Sequence, residues 1–418
     1  MTTKPERLLV RAAALLLIAG CVQTPTPTPT ATQTPVPPTA TLTPVPPTAT
    51  PTLAPPTATQ TPVPPTATPI PPTSTSSPGV SILPVGQGFG ASKGFWQVYF
   101  TAPTGSRDAS TYVGGIDETL AATLDQVTQT LDIAAYEFNS PALTAAVLRA
   151  KARGVRVRVV TDNNDGIGDD ETTLHQLVDA GIPVVDDGRS ALMHDKFMIL
   201  DSTTIWMGSW NYTINDTYRN NNNAIALRSQ TAVQDYQAEF NEMFVDGAFG
   251  PTSPNNTPRA EFTQDGTPIG IYFASEGDVI GVINSTLAGA QHSIRFMTFS
   301  FTVDSIGSTI IQRAGAGVDV QGIFEKTGSE TQFAELTPMF CAGLQVRQDG
   351  NPFVLHHKVF VVDGATVLTG SFNISDSATN SNDENLIRIT DPDLAAQYLA
   401  EFDRRWAEAT TPTSLSCP

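Results

Sequence analysis

HDKFMILD at residues 194–201 and HHKVFVVD at residues 356–363 share one pattern: a histidine, a lysine two places later and an aspartate five places after the lysine. The chain has only five histidines, so its repeated use of them in this pattern is informative. Successive side chains of a strand point to opposite faces, so each histidine shares a face with its lysine. An imidazole beside a fixed cation predicts a site for an anion, with a group for proton transfer or nucleophilic attack at hand.

The second half of the chain is a diverged copy of the first, displaced by 162 residues. Upstream, IAAYEF at 133–138 resembles IRFMTF at 294–299. Downstream, the offset aligns GSWN at 208–211 with GSFN at 370–373, Asn223 with Asn385, and Tyr236-x-x-Glu239-Phe240 with Tyr398-x-x-Glu401-Phe402. Chance does not keep one offset over so many positions.

Each copy alternates β-rich runs with Ala/Leu-rich helical stretches, which predicts an α/β sandwich per copy. Two copies in one chain are expected to pack about a pseudo-two-fold axis, like a homodimer fused end to end. The predicted repeats cover residues 90–250 and 259–410, and the Pro-rich stretch GPTSPNNTP at 250–258 joins them.

The N-terminus, MTTKPERLLVRAAALLLIAGC at residues 1–21, has a basic start and a short apolar run. The run is too short to span a bilayer core of about 30 Å, so it predicts a secretory signal peptide. Its ending, IAGC, resembles the lipobox of bacterial lipoproteins, in which Cys21 carries the lipid. We therefore expect an extracytoplasmic, cell-surface lipoprotein anchored through Cys21; an ordinary signal peptide with an incidental cysteine is the alternative.

Residues 22–82 form a Pro/Thr-rich tract, in which PPT recurs at 37, 46, 55 and 64. No charged residue occurs between Cys21 and Lys93. Such a segment has almost nothing to bury and favours polyproline II, so it predicts a disordered, extended stalk.

The formal net charge of the chain is −18 at pH 7, which disfavours binding to a polyanion such as nucleic acid. Cys341 and Cys417 could form one disulfide in an exported protein or remain two free thiols. Their spacing does not suggest a metal site, and we expect neither a metal nor a cofactor.

HxKxxxxD followed by GSxN, present twice, resembles the phospholipase D superfamily over nearly all of residues 95–410. The resemblance implies a metal-independent phosphodiesterase in which both motifs form one active site. One histidine forms a phosphohistidine and the other protonates the leaving alcohol, then activates water or an acceptor alcohol. The two lysines and the GSxN side chains Ser209, Asn211, Ser371 and Asn373 would hold the phosphoryl oxygens. The candidate catalytic residues are His194, Lys196, Asp201, His356, Lys358 and Asp363.

Within this set, Asp201 and Asp363 have the opposite parity and are expected to brace a turn or a neighbouring strand. His357 is expected to have a structural role on the other face, and His175 and His292 to be structural or exposed. Trp210 and Phe372, inside the GSxN loops, could line a pocket mouth or serve packing.

One position departs from the symmetrical pattern of the superfamily, which usually has an acidic residue downstream of each GSxN to orient a catalytic histidine. The second copy has Glu384, whereas the first has Asn222 at the same offset. A glutamate favours a charged imidazole, and an amide orients the ring without adding charge. Our hypothesis is that His356 is held protonated as the general acid and that neutral His194 is the nucleophile. Asp216 could replace the missing glutamate.

The leading prediction is a monomeric phospholipase D that acts at a membrane surface and releases phosphatidate and a free head group. An extracellular metal-independent endonuclease is the alternative. A phosphatidyltransferase similar to cardiolipin synthase and a catalytically dead surface binding protein are less favoured.

Overall fold

The computed structural model describes residues 79–417. The predicted signal peptide, the lipidation site at Cys21 and most of the predicted stalk lie outside these residues. Ser81–Leu83 already forms a strand. The first repeat therefore begins earlier than the predicted residue 90, and its first strand occupies the end of the segment predicted as stalk.

The first repeat is a nine-stranded mixed sheet with five α-helices, in strand order β1-β2-β3-β9-β8-β7-β4-β5-β6. Only β4, β5 and β6 run parallel to one another. The elements are β1 (Ser81–Leu83), β2 (Gly88–Lys93), β3 (Trp96–Thr101), α1 (Ile116–Leu124), β4 (Thr130–Ala135), α2 (Pro141–Ala152), β5 (Arg156–Thr161), α3 (Leu174–Asp179), β6 (Val184–Asp186), β7 (Lys196–Leu200), β8 (Thr204–Gly208), α4 (Ile214–Tyr218), β9 (Asn223–Arg228) and α5 (Gln230–Asn241).

The second repeat is an eight-stranded sheet with the same arrangement around its centre, in strand order β10-β11-β17-β16-β15-β12-β13-β14. Its elements are β10 (Glu261–Gln264), β11 (Thr267–Ala274), α6 (Val279–Ala288), β12 (Ser293–Thr298), α7 (Asp304–Gly315), β13 (Asp319–Phe324), α8 (Leu336–Cys341), β14 (Gln345–Gln348), β15 (Lys358–Val362), β16 (Thr366–Gly370), α9 (Asp376–Asn380), β17 (Glu384–Thr390) and α10 (Pro392–Glu408). The predicted tandem α/β fold is therefore confirmed.

Both repeats share the central core. Apolar side chains of β7, β8 and β9 pack in one cluster with those of β15, β16 and β17, together with α5 and α10. A separate apolar cluster lies on the outer side of each sheet, where α1 to α3 and α6 to α8 pack. Strands β7 and β15 are buried along their whole length, which explains why KFMIL and KVFVV carry no alternation of polar and apolar residues.

Asp201 and Asp363 end β7 and β15 in the left-handed backbone region, with φ of 48° and 53°. Each carboxylate accepts hydrogen bonds from three consecutive backbone N–H groups, those of residues 128–130 and of residues 291–293 respectively. Both aspartates thus brace the turn before the neighbouring strand. The expected bracing role is therefore observed. Their position at the strand ends opposite the histidines gives no support to their inclusion among the candidate catalytic residues.

The upstream alignment of the two copies is also corrected. Ala135 of β4 pairs with Lys196, and Thr298 of β12 pairs with Lys358. Tyr136 is therefore the counterpart of Phe299. Alignment of IAAYEF with IRFMTF by their letters is shifted by two residues from this structural match. Strand pairing sets this register, and it is not visible in a short apolar run.

Cys341 and Cys417 form a disulfide that ties the C-terminal segment to the end of α8. Among residues 79–417, no helix is both long enough and apolar enough to cross a membrane.

Candidate active site

The two histidines lie where the repeats exchange backbone hydrogen bonds. The His194 N–H donates to the Asp383 carbonyl at 3.0 Å, and the His356 N–H donates to the Asn221 carbonyl at 2.9 Å. Both histidines come just before their strands, which begin at Lys196 and Lys358. Each His-x-Lys segment is therefore held against the other repeat, and the two motifs meet at the seam.

Each lysine is fixed by its own histidine. Lys196 Nζ donates to the His194 carbonyl at 2.6 Å, and Lys358 Nζ donates to the His356 carbonyl at 2.9 Å. Both ammonium groups are almost fully buried. A buried ammonium with donors to spare is suited to bind an anion, because water does not screen its charge.

An aromatic ring directly after the neighbouring strand, β4 or β12, closes each half of the site. The Tyr136 ring lies 4.8 Å from the ring of His194 and 4.8 Å from Lys196 Nζ. The Phe299 ring lies 4.9 Å from His356 and 4.8 Å from Lys358 Nζ. The sequence analysis missed both aromatics because its upstream alignment was displaced by two residues.

The side chain nearest to Nδ1 of each histidine comes from the opposite repeat. His194 Nδ1 lies 2.7 Å from Glu384 Oε2, and His356 Nδ1 lies 3.0 Å from Asn222 Oδ1. The premise that Glu384 charges His356 is therefore wrong. Glu384 follows Asp383, which pairs with the segment before β7, whereas Asn222 follows Asn221, which pairs with the segment before β15.

Asp216 supplies a carboxylate to the other half of the site. Its Oδ2 lies 3.5 Å from His356 Nδ1 and accepts a hydrogen bond from the Asn211 N–H at 2.8 Å. The second repeat has Ala378 at the same offset. Each histidine thus has one carboxylate nearby, in direct contact for His194 and at a longer distance for His356.

The GSxN serines do not face an open site. The Ser209 hydroxyl donates to Asn222 Oδ1 at 2.8 Å, and the Ser371 hydroxyl donates to Glu384 Oε2 at 2.7 Å. Both serines are fully buried and contact the partners of the histidines, so the structure gives no support to their predicted contact with phosphoryl oxygens. Among the described residues, Asn211 Oδ1 and Asn373 Oδ1 are buried without a hydrogen-bond partner.

The electrostatics differ between the two halves. Burial and the two lysines lower the pKa of His194 well below its ordinary value. Burial and Lys358 lower the pKa of His356 to about 4, against the opposing effect of Asp216. Burial also lowers the pKa of Lys196 to about 8, although nearby carboxylates act in the other direction.

The two carboxylates are affected in opposite directions. Burial raises the pKa of Glu384 to about 8, against the opposing effect of Lys196. Burial also acts to raise the pKa of Asp216, but His356 and hydrogen bonds from Asn220 and the Asn211 N–H outweigh it and hold this pKa well below its usual range. Asp216 therefore keeps its negative charge more firmly than Glu384.

The remaining candidates lie outside this arrangement. His357 faces away from it, with Nε2 at 3.2 Å from Glu401 Oε1. Trp210 and Phe372 are buried in the outer cores of their repeats. His175 and His292 are exposed.

A family model described as "Cardiolipin synthase, PLD-like domain" matches residues 120–244 and again residues 283–406, together more than half of the chain. The chain belongs to the phospholipase D superfamily. Its two matches coincide with the two repeats and include both His-x-Lys segments.

Relatives in this superfamily match one part of the chain. A mitochondrial cardiolipin hydrolase of Xenopus tropicalis is 35% identical over 133 residues, which are 32% of this chain and 62% of the relative. A phospholipase D of Rickettsia conorii is 31% identical over 118 residues, which are 28% of this chain and 59% of the relative. The chain thus spans less than two thirds of these relatives.

A likeness over more of the chain is found with the crystal structure of phosphatidylserine synthase from Haemophilus influenzae. It covers 72% of this chain and 86% of that protein, with a TM-score of 0.56 and 17% identity. At this identity, the likeness shows the two-repeat fold alone.

Proposed function

We propose that this protein hydrolyses phospholipids as a phospholipase D, releasing phosphatidate and a free head group through a phosphohistidine intermediate. The observation that carries the proposal is the meeting of two buried His-x-Lys segments at the seam, each with a different carboxylate near its histidine. Two-step displacement needs a nucleophile and a separate acid that can become a base. The site offers one histidine for each role.

His194 is the proposed nucleophile. Its Nδ1 faces Glu384, which fixes the tautomer that leaves the lone pair on Nε2. In the first step Nε2 bonds to phosphorus, and the bond from phosphorus to the head-group oxygen breaks. The resulting imidazolium is stabilised by Glu384. Its positive charge opposes the effect of burial on the Glu384 pKa, as Lys196 already does, and so favours the carboxylate form.

His356 is the proposed general acid, for a different reason from the one that the sequence suggested. Asp216, not Glu384, is the carboxylate near it, and Asp216 holds its charge firmly. A bound phosphodiester anion offsets the field of Lys358 and Lys196, so binding raises the pKa of His356. His356 then protonates the departing oxygen, takes a proton from the attacking water, and the phosphorus–nitrogen bond breaks.

The lysines are proposed to hold the non-bridging oxygens, since both ammonium groups are buried beside the histidines. Asn211 Oδ1 and Asn373 Oδ1 have no hydrogen-bond partner among the described residues. Each of these side-chain amides also has NH₂ donors, which we propose bind an incoming phosphate.

A phospholipid is the proposed substrate rather than nucleic acid. The net charge of −18 opposes approach to a polyanion, and matching relatives are called phospholipase D and cardiolipin hydrolase. Export and anchoring through Cys21 remain part of the proposal, and they would place the enzyme at a membrane surface.

The test is to incubate the purified protein with phosphatidylcholine vesicles, cardiolipin vesicles and plasmid DNA, each with and without EDTA. Released head group or phosphatidate is measured by chromatography, and nicking of DNA by electrophoresis. We expect lipid cleavage that EDTA does not stop, its loss in His194→Ala, and full activity in His175→Ala, which removes an exposed histidine of the same repeat. Nicked DNA with intact lipid would overturn the proposal in favour of an endonuclease.

A further inference from the structure

Three glutamates cluster beside the first repeat, away from the histidines of the active site. One carboxylate oxygen from each of Glu239, Glu242 and Glu276 lies within 4.8 Å of the other two. Glu239 and Glu242 are 2% and 3% exposed, and Glu276 is half-buried and open to solvent. Glu239 lies on α5, Glu242 just after it, and Glu276 shortly after β11.

The second repeat shows how basic side chains neutralise a buried glutamate at the equivalent position. Glu401, the counterpart of Glu239, is fully buried and contacts three basic side chains. Its carboxylate lies 3.2 Å from His357 Nε2, 2.8 Å from Arg404 Nη2 and 3.2 Å from Arg405 Nε. Three basic partners of this kind offset the cost of burying the Glu401 carboxylate.

The first repeat has none of these basic partners at the corresponding positions. At the offset of 162 residues, Asp195, Glu242 and Met243 replace His357, Arg404 and Arg405. The glutamate is therefore retained while its cations are exchanged for two more carboxylates and a thioether.

Two oxygens of this cluster are buried without a hydrogen-bond partner among residues 79–417: Glu239 Oε1 and Glu276 Oε2. The same holds for Asp195 Oδ2, outside the cluster. Leaving buried carboxylates without a counter-charge is unfavourable.

We propose that Glu239, Glu242 and Glu276 bind one divalent cation, and that Ca²⁺ fits the site best. The ligands are all carboxylate oxygens, which hard cations prefer. Ca²⁺–oxygen distances of about 2.3–2.6 Å place ligand oxygens up to roughly 5 Å apart, whereas about 2.1 Å for Mg²⁺ permits only about 4.2 Å. Oxygens that all lie within 4.8 Å of one another can reach one Ca²⁺ ion together, with water completing its coordination.

The cation would neutralise the Glu239 carboxylate in the first repeat, as Arg404 and Arg405 neutralise the Glu401 carboxylate in the second. Asp195 adds negative charge near Glu239, and it stands between His194 and Lys196 in the chain. Binding would therefore stabilise the segment that carries half of the active site, without taking part in the phosphodiester chemistry.

The test uses the full chain after removal of metals with EDTA and desalting. Calorimetric titration with CaCl₂ and with MgCl₂ measures binding, and thermal unfolding measures stability. We expect one Ca²⁺ site, weaker Mg²⁺ binding, and a higher melting temperature with Ca²⁺. Absence of Ca²⁺ binding, with no change in melting temperature, would overturn the proposal and leave protons as the counter-charge.

Two variants locate the site. Glu242→Arg places in the first repeat the side chain that Arg404 provides in the second; we expect it to abolish Ca²⁺ binding and to raise the melting temperature in EDTA. Glu276→Gln, on the half-buried side, is expected to weaken binding by about tenfold or more because it removes one charged ligand. Glu261→Gln, which changes an exposed carboxylate of β10, is the control and should bind Ca²⁺ as the original protein does. Unchanged binding in folded Glu276→Gln and Glu242→Arg would also overturn the assignment.

Discussion

The two repeats place the same groups at the seam but surround them with different charges. Both provide a histidine, a buried lysine and an aromatic ring, at matching distances. The carboxylates differ: Glu384 touches His194, whereas His356 touches Asn222 and has Asp216 at 3.5 Å. Duplication of a fold thus fixes where the reacting groups stand, and the neighbouring charges decide what each of them does.

The largest expected effect comes from replacing each of the two histidines by alanine, one at a time. His194→Ala removes the proposed nucleophile and should abolish cleavage of every phosphodiester. His356→Ala removes only the proposed acid, so it should slow cleavage of phospholipids by about 10²–10⁴-fold and much less when the leaving group is p-nitrophenolate, which needs no proton. Rates of product release on both substrates measure the difference.

Mass spectrometry of protein denatured at alkaline pH, where the phosphorus–nitrogen bond survives, provides the second readout of this pair. His356→Ala should accumulate a phosphatidylated form modified on His194, since its breakdown also needs His356. Modification of His356 in the His194→Ala protein would reverse the two assignments.

A smaller effect is expected from the partners of the histidines. Glu384→Gln should slow formation of the phosphohistidine on both kinds of substrate, on the order of tenfold or more, because it weakens stabilisation of the imidazolium. Asp216→Asn should slow only the reaction with the poor leaving group, because it acts through the acid. Equal responses of both variants on both substrates would show that the two halves are not specialised.

The pH dependence of kcat/KM should show an alkaline limb near pH 8. The Lys196 pKa is lowered to about 8, so its charge is present below this pH and is lost as the pH rises through it. The pKa values of both histidines are lowered, so neutral His194 persists to below pH 6.5 and no loss is expected between about pH 6.5 and 7.5. Glu384→Gln removes a charge that raises the Lys196 pKa and should move the alkaline limb to lower pH. An alkaline limb only near pH 10 would contradict this assignment.

The smallest effect on catalysis is expected for Asp201 and Asp363, which make the same contacts in both repeats. Asp201→Ala and Asp363→Ala each remove a carboxylate that accepts three backbone hydrogen bonds, so each should lower the free energy of unfolding by about 1–3 kcal/mol. Urea unfolding measures the loss, and kcat of the folded protein should stay unchanged. A fall in kcat of a hundredfold in either variant, with its fold intact, would return that aspartate to the catalytic residues.

Much of the fold and the members of the site could be predicted from the sequence. The offset of 162 residues gave two α/β repeats, and the parity of β7 separated Lys196 from Asp201. Short sequence patterns carry this information because side-chain direction in a strand follows from spacing alone.

The pairing of Glu384 with His194 could not be predicted in the same way. Alignment of one copy with the other shows which residues are equivalent, but not that the segments before β7 and β15 are hydrogen-bonded to the opposite repeat. The glutamate cluster could not be predicted from the sequence either, because Glu239 and Glu276 come together only when α5 packs against β11. Both features depend on contacts between repeats, which leave no periodic signal within either one.

The exchange of backbone hydrogen bonds at the seam also has an evolutionary consequence. In a homodimer, one gene encodes both halves, so a change that suits the nucleophile is imposed on the acid as well. Once the halves are joined in one chain, each position can mutate alone, and Glu384 and Asn222 can coexist around a single site. A dimer of identical single repeats has the same residue at this position in both halves. It would therefore place the same partner beside both histidines.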